Sequence, residues 1–182
     1  MEANGELGVS RISSTEYVSI DWGDGNTSYQ EGYATWIYHK YSTAGVYQIT
    51  INGSISKIKI SPTNGYVISF EQLDLSNWKD ANSQVGSAYQ TSFAGDCSYA
   101  TGEIPNLPPN LTNGRFMFYR CTKLTGNIPI LPDTLTDGYR MFIQAYNLSG
   151  YPPAMPASLT SYDAMFTQTK VTNDGSWPSG AW

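Results

Sequence analysis

Among its 182 residues the chain carries one histidine, His39, and two cysteines, Cys97 and Cys121, so bases, nucleophiles and soft metal ligands are scarce. Asp21 and Asp24 flank Trp22 and Gly23 and could act as a carboxylate pair or a calcium site. The expected role is plainer: in a Gly-Asp-Gly turn an Asp side chain bonds backbone amides just ahead of it. Calcium needs roughly 6–8 oxygen ligands, and no Asp-x-Asp-x-Asp run supplies them. No nucleophile–base pair and no acid pair can be assembled, which leaves hydrolase chemistry without a site. No catalytic, cofactor-binding or metal-binding residue is therefore expected.

Cys97 and Cys121 are 24 residues apart, and the same step leads on to Ala145 and Thr169. Cys, Cys, Ala and Thr make a column of small packing residues. Stacked at a strand spacing of ~4.8 Å, the two cysteines would lie within disulfide reach. Side chains pointing the same way would need a strained dihedral, so free thiols are expected. Two cysteines alone do not make a zinc site.

The aromatics are the better candidates for contact with a partner, because tyrosine joins a large apolar body to a polar tip. Tyr119, Tyr139, Tyr151 and Tyr162 fall in columns that change between copies of a repeat. Tyr151 aligns with Glu103 and Asn127, and Tyr139 with Arg115 and Asp163. Columns that hold polar residues in sister copies should face solvent. These four tyrosines are the ligand-binding candidates.

The repeat that must position them is explicit. Phe118, Phe142 and Phe166 recur every 24 residues, in step with Met117, Met141 and Met165, and with Leu111, Leu135 and Leu159. Pro108, Pro132 and Pro156 keep the period, as do Gly102, Gly126 and Gly150. Phe93 starts an earlier copy, 25 residues ahead of Phe118. A fixed period in the twenties marks a solenoid, each coil covering the apolar face of the next. Each copy reads as a short strand near "LTGNIPIL", a proline-fixed bend and a return carrying Met and Phe inward. The last copy, from Met165, is degenerate, and Trp177 and Trp182 should act as its lid. Residues 63–91, including "ISFEQLDLSNWKDANSQVG", should be linker and entry cap.

Residues 1–62 alternate differently. Val18 and Ile20 share one face of "EYVSIDWGDG", and Val46, Ile49 and Ile51 recur in "GVYQITI". Short strands between Gly, Asn and Ser turns suggest a small β-sandwich. The fold class is thus mainly β, a sandwich over 1–62 followed by a solenoid of about four coils over 92–182.

Two resemblances attach to these motifs. Trp22-Gly23-Asp24-Gly25, then His39 and Tyr41, then Gly45 and Tyr47, resemble the polycystic-kidney-disease (PKD) family of immunoglobulin-like domains. The unit "MFYRCTKLTGNIPILPDTLTDGYR" resembles the BspA-like leucine-rich repeats. The resemblances imply a structural turn rather than catalysis at Asp24, with His39 a packing residue. They also imply display at a surface, since both families belong to surface proteins of gut and oral bacteria and to their phages.

Charge agrees with that expectation. The net charge is −5 with scattered Lys and Arg, which argues against nucleic acid, whose phosphates need a concentrated basic patch. No apolar run reaches the ~18 residues of a membrane span. "MEANGELGVSR" is not a secretory signal; with Met1 and Trp182 as natural ends, a phage tail, fibre or head-decoration protein is favoured. As a fragment of a secreted protein the chain would sit at a cell surface. The expected function is a non-enzymatic adhesion module contacting a host-surface glycan or protein, extracellular or on a virion. The alternative is a structural protein whose tyrosines bury against neighbouring virion subunits or further copies of itself.

Overall fold

The computed structural model describes residues 7–11, 17–31, 36–43, 45–53, 58–62, 68–69 and 93–182. The fold is mainly β, and no α-helix occurs among these residues. The linker and entry-cap assignment falls almost wholly outside them.

The N-terminal strands are β1 (Leu7–Arg11), β2 (Tyr17–Asp21), β3 (Thr27–Glu31), β4 (Trp36–His39), β5 (Thr50–Gly53) and β6 (Ile58–Pro62). They form two antiparallel sheets, ordered β4-β1-β6 and β3-β2-β5. In β2, Ile20 pairs with Ser28 on one side and Ile51 on the other. Strand alternation sends Val18 and Ile20 inward, where with Trp22 and Tyr41 they form a buried core. Ile37 of β4 packs against that core, as do Tyr47, Ile49 and Ile51. Val46, grouped with Ile49 and Ile51 in the sequence, does not join them and is fully exposed. The alternation that turns Tyr47, Ile49 and Ile51 to the core puts residue 46 on the opposite face.

β7 (Ile68–Ser69) pairs in parallel with β8 (Ala100–Glu103), and β8 with β9 (Leu124–Thr125). β10 (Ser149–Gly150) pairs in parallel with β11 (Lys170–Val171). These strands are very short, and other hydrogen bonds join the repeats. The N–H groups of Gly114, Phe116, Phe118 and Arg120 donate to the carbonyls of Asp137, Tyr139, Met141 and Ile143. Gly138, Arg140, Phe142 and Gln144 do the same to Ser161, Asp163, Met165 and Thr167. Between these donors, the amides of Met117, Tyr119 and Cys121 close tight turns to carbonyls three residues back. The alternation satisfies a buried backbone without long strands.

That alternation has a conformational cost. Phe116, Arg140 and Ala164 recur at φ 53°, 52° and 52°, and Asp96, Arg120, Gln144 and Gln168 at φ 68°, 55°, 62° and 60°. All are left-handed, a region that disfavours side chains by about 1–2 kcal/mol. Burial offsets it: Met117, Phe118, Leu124, Leu135, Met141, Phe142, Leu148 and Met165 are wholly buried, each side chain contributing roughly 1.5–3 kcal/mol.

The repeating phenylalanines run through this core. The rings of Phe118 and Phe142 are 5.7 Å apart and nearly parallel, as are Phe142 and Phe166 at 6.1 Å. Phe93 meets Phe118 edge-on at 79° instead. Three residues separate Phe93 from Cys97 where two separate Phe118 from Cys121, and the extra residue turns the ring. At the far end Trp177 and Trp182 pack on Phe166, with ring centroids 5.0 and 5.3 Å away. A 3₁₀ turn at Ser179–Ala181 finishes the ladder, since Ala164 donates to the Gly180 carbonyl and Phe166 to that of Ala181. Cys97 and Cys121 are free and buried, and the Cys121 thiol donates to the Ala94 carbonyl at 3.1 Å.

Candidate functional site

The two constellations singled out by sequence differ in kind. At the first, Gly23 turns the chain with φ 76°, and a Cβ there would run into the Gln48 carbonyl oxygen. Asp21 accepts from the Gly23 amide at 2.8 Å, and Asp24 from the Asn26 amide at 3.0 Å. The other Asp24 oxygen meets His39 Nε2 at 2.8 Å. Partial desolvation works to raise the Asp24 pKa, but the His39 contact and the Asn26 amide outweigh it and hold the carboxyl below its ordinary value. His39 stacks on Trp22 at 4.8 Å and meets Tyr41 edge-on, while Tyr41 stacks on Tyr47 at 4.2 Å. The Trp22 indole donates to Ser28 Oγ and the Tyr41 hydroxyl to the Trp22 carbonyl, both at 2.9 Å. These contacts tie the turn to the core rings. No trio of His, Cys, Asp or Glu side chains converges among the described residues.

The second constellation lies along one edge of the repeats. Asn113 and Asp137 bridge in parallel, and each side chain accepts from the amide two residues ahead, Arg115 and Tyr139 respectively. These turns set Arg115 and Tyr139 one above the other in the same column. The Arg115 guanidinium lies 4.3 Å from the Tyr139 ring centre and that of Arg140 lies 4.9 Å from it. Phe116 meets Tyr139 edge-on at 5.5 Å and Tyr119 at 5.9 Å. Arg120 stands over Tyr119 at 5.8 Å. Two carboxylates share the edge: Asp137 binds Arg115 at 3.1 Å and Asp96 binds Arg120 at 3.4 Å.

Of the four candidate tyrosines, Tyr119 and Tyr139 are therefore joined through Phe116. Tyr151 stands elsewhere, just past β10, and is 68% exposed like its column mates Glu103 and Asn127. Tyr162 departs from the solvent-facing expectation: it packs against the core and meets Trp177 edge-on at 6.3 Å. Its column holds Gly114 and Gly138, where a Cβ would press on Met141 and Met165 of the following repeat, at 2.8 and 3.0 Å. At Tyr162 the neighbour is Trp177 rather than a methionine, and the larger ring fits there beneath the tryptophan lid.

Sequence reasoning missed Phe116, Arg115 and Arg140 as parts of the cluster. Phe116 is buried although its column continues as Arg140 and Ala164, and that heterogeneity carries no surface signal. The one available clue was an arginine preceding or following an aromatic in consecutive copies, "GRFMFYR" and "GYRMF". No protein-family model, curated protein or solved structure matches the chain significantly.

Proposed function

We propose that this chain is a non-enzymatic binding module displayed on a surface, an immunoglobulin-like sandwich of the PKD kind followed by a short leucine-rich-repeat solenoid of the BspA kind. The two three-stranded sheets with Ile37 packed across them support the first part. The register of bonds between residues 23 apart, from Gly114 through Gln144, supports the second. Adhesion to a host-surface glycan or protein, from a phage virion or a bacterial cell surface, is the role that fits a rigid, repeat-built edge. No helix among the described residues is long and apolar enough to cross a membrane.

The observation that carries this reading is the edge of half-buried Tyr119 and Tyr139, joined through the buried Phe116 ring, with arginines over the tyrosines. Aromatic and arginine side chains are the types that dominate binding hot spots, and truncating one typically costs ≥ ~2 kcal/mol. The test is attachment of the purified chain to host cells, comparing wild type with the double variant Tyr139→Ala, Tyr151→Ala. The variant should keep its melting temperature within a few degrees and attach well over tenfold more weakly. Unchanged attachment at unchanged melting temperature would move the binding face to the loops of the N-terminal sheets.

A further inference from the structure

The short parallel strands of the repeats share an outer face. Ala100, Leu124, Leu148 and Val171 are buried, so two-residue alternation turns Glu103, Thr125, Asn127, Tyr151 and Lys170 outward, and all five are exposed. The ladder makes them one surface: Glu103 pairs with Thr125, and Ser149 pairs with both Asn127 and Lys170. Ile130, three residues beyond Asn127, is 83% exposed, and Tyr151 is 68% exposed. A single apolar residue in solvent needs no explanation; the placing of these two is what informs. Ile130 follows β9 and Tyr151 follows β10. Outside that central pair the face carries opposite charges at its two ends, because Glu103 closes β8 and Lys170 opens β11. Among the described residues neither meets an opposite charge, and Lys170 Nζ rests on Asn147 Oδ1 at 2.9 Å.

We infer that this face pairs with the same face of a second copy of the chain, about a two-fold axis parallel to the strands. Such an axis reverses the order of the stack, setting β8 opposite β11 and β9 opposite β10. Glu103 of each copy then faces Lys170 of the other, and Ile130 of each faces Tyr151 of the other. A two-fold contact demands this reciprocity, residue i on j and j on i. Here both exchanged pairs are complementary, acid with base and aliphatic with aromatic. Lys123, also exposed, falls opposite the stretch around Tyr146, which carries no charge. The intervening Thr125, Asn127 and Ser149 are small, which suits two sheets stacking at about 10 Å. The contact is additional to the adhesion edge at Tyr139 and does not rest on it.

The experiment is sedimentation velocity on the full chain over a wide range of concentration. Wild type should pass from monomer to dimer as concentration rises. Glu103→Lys and Lys170→Glu should each weaken the dimer at least tenfold, and the double variant, with the two charges exchanged, should restore it. Ile130→Ser should weaken it as well at an unchanged melting temperature, because that side chain stands in solvent in the monomer. Cross-linking reads the register: Ile130→Cys mixed with Tyr151→Cys should form a disulfide between copies much faster than either variant alone. Should a single charge variant melt at lower temperature, the restoring double variant and the cysteine pair still decide the matter. A monomer at every concentration, charge reversals without effect, no restoration in the double variant, or equal cross-linking by the unmixed cysteine variants would each overturn the assignment. Because Tyr151 belongs to this face, Tyr139→Ala alone reports on the adhesion edge, and its loss or retention of host-cell attachment leaves the dimer to its own test.

Discussion

The N-terminal sheets and the C-terminal repeats solve the same problem, covering apolar side chains with short β-elements, in opposite ways. In the sheets, a compact core of Val18, Ile20, Trp22 and Tyr41 depends on one turn, and the turn depends on Gly23, Asp21, Asp24 and His39. In the repeats, the same contacts recur at each step, so Leu111, Leu135 and Leu159, or Phe118, Phe142 and Phe166, each bury one layer. The first arrangement concentrates its stability in a knot of hydrogen bonds and stacked rings. The second spreads it along a line in which each layer depends on its neighbours. Substitutions should therefore act differently in the two regions.

The largest effect is expected at the middle of the line. Phe142 stacks on Phe118 and on Phe166 and is wholly buried, so Phe142→Ala should cost about 3–5 kcal/mol, read by denaturant unfolding. Ring-current-shifted resonances of the Trp22–His39 stack should persist at denaturant concentrations that melt the altered repeats. Loss of both sets of signals together would break the contrast between the regions.

The repeat period was legible because a stack forces equivalent residues into equivalent environments. Every Phe, Met and Leu column named from the sequence is buried, and the 25-residue step at Phe93 has its physical counterpart in the edge-on ring. The tryptophan lid was legible for the same reason, since an apolar end needs a cover. The meeting of Trp22, His39, Tyr41 and Tyr47 at the turn is an expectation from the PKD-like motif rather than from spacing, and their rings do meet. Three things were hidden. Tyr162 reads as surface because its column is variable, whereas Trp177 packs over it. Arg140 sits in a column too mixed to classify. The left-handed positions at Asp96, Arg120, Gln144 and Gln168 carry no glycine to announce them; at the first three the amide is held by a hydrogen bond to the next repeat rather than by local propensity.

The second prediction aims at the knot. Gly23→Ala would hold a side chain at φ 76° and drive it into the Gln48 backbone, so the cost should reach about 2–3 kcal/mol. Chemical denaturation followed by Trp22 fluorescence checks it. A loss under half a unit of kcal/mol would show that the turn can shift and that the core does not depend on it.

A smaller, pH-dependent effect separates the regions further. Because the folded-state pKa of Asp24 lies below its ordinary value, the unfolded chain binds the proton more readily. The stabilisation is thus present above the unfolded pKa and is lost as pH falls through the lower folded one. Wild type should lose N-terminal stability on acidification from pH 5 to pH ~3, and Asp24→Asn should flatten that dependence. Melting curves at stepped pH decide it, and identical slopes for the two proteins would remove Asp24 from the knot's energetics.

The smallest effect has the opposite sign and sets the two regions directly against each other. Gln168 holds φ 60° with an exposed side chain, so little packing is lost on its removal. Gln168→Gly relieves left-handed strain of about 1–2 kcal/mol and returns part of that as the greater freedom of glycine in the unfolded chain. The net should be a gain of about 0.5–1 kcal/mol, seen as a higher unfolding midpoint with unchanged denaturant slope. Gln168→Asn, which tolerates the same region with its own backbone-bonding side chain, should gain less. Glycine is thus indispensable at Gly23, where a neighbouring backbone lies against it, and an improvement at residue 168, whose side chain is exposed while its backbone is left-handed. A destabilised Gln168→Gly would mean that the glutamine side chain itself holds the last layer, and that the repeats, like the sheets, rest on particular side chains rather than on the stack.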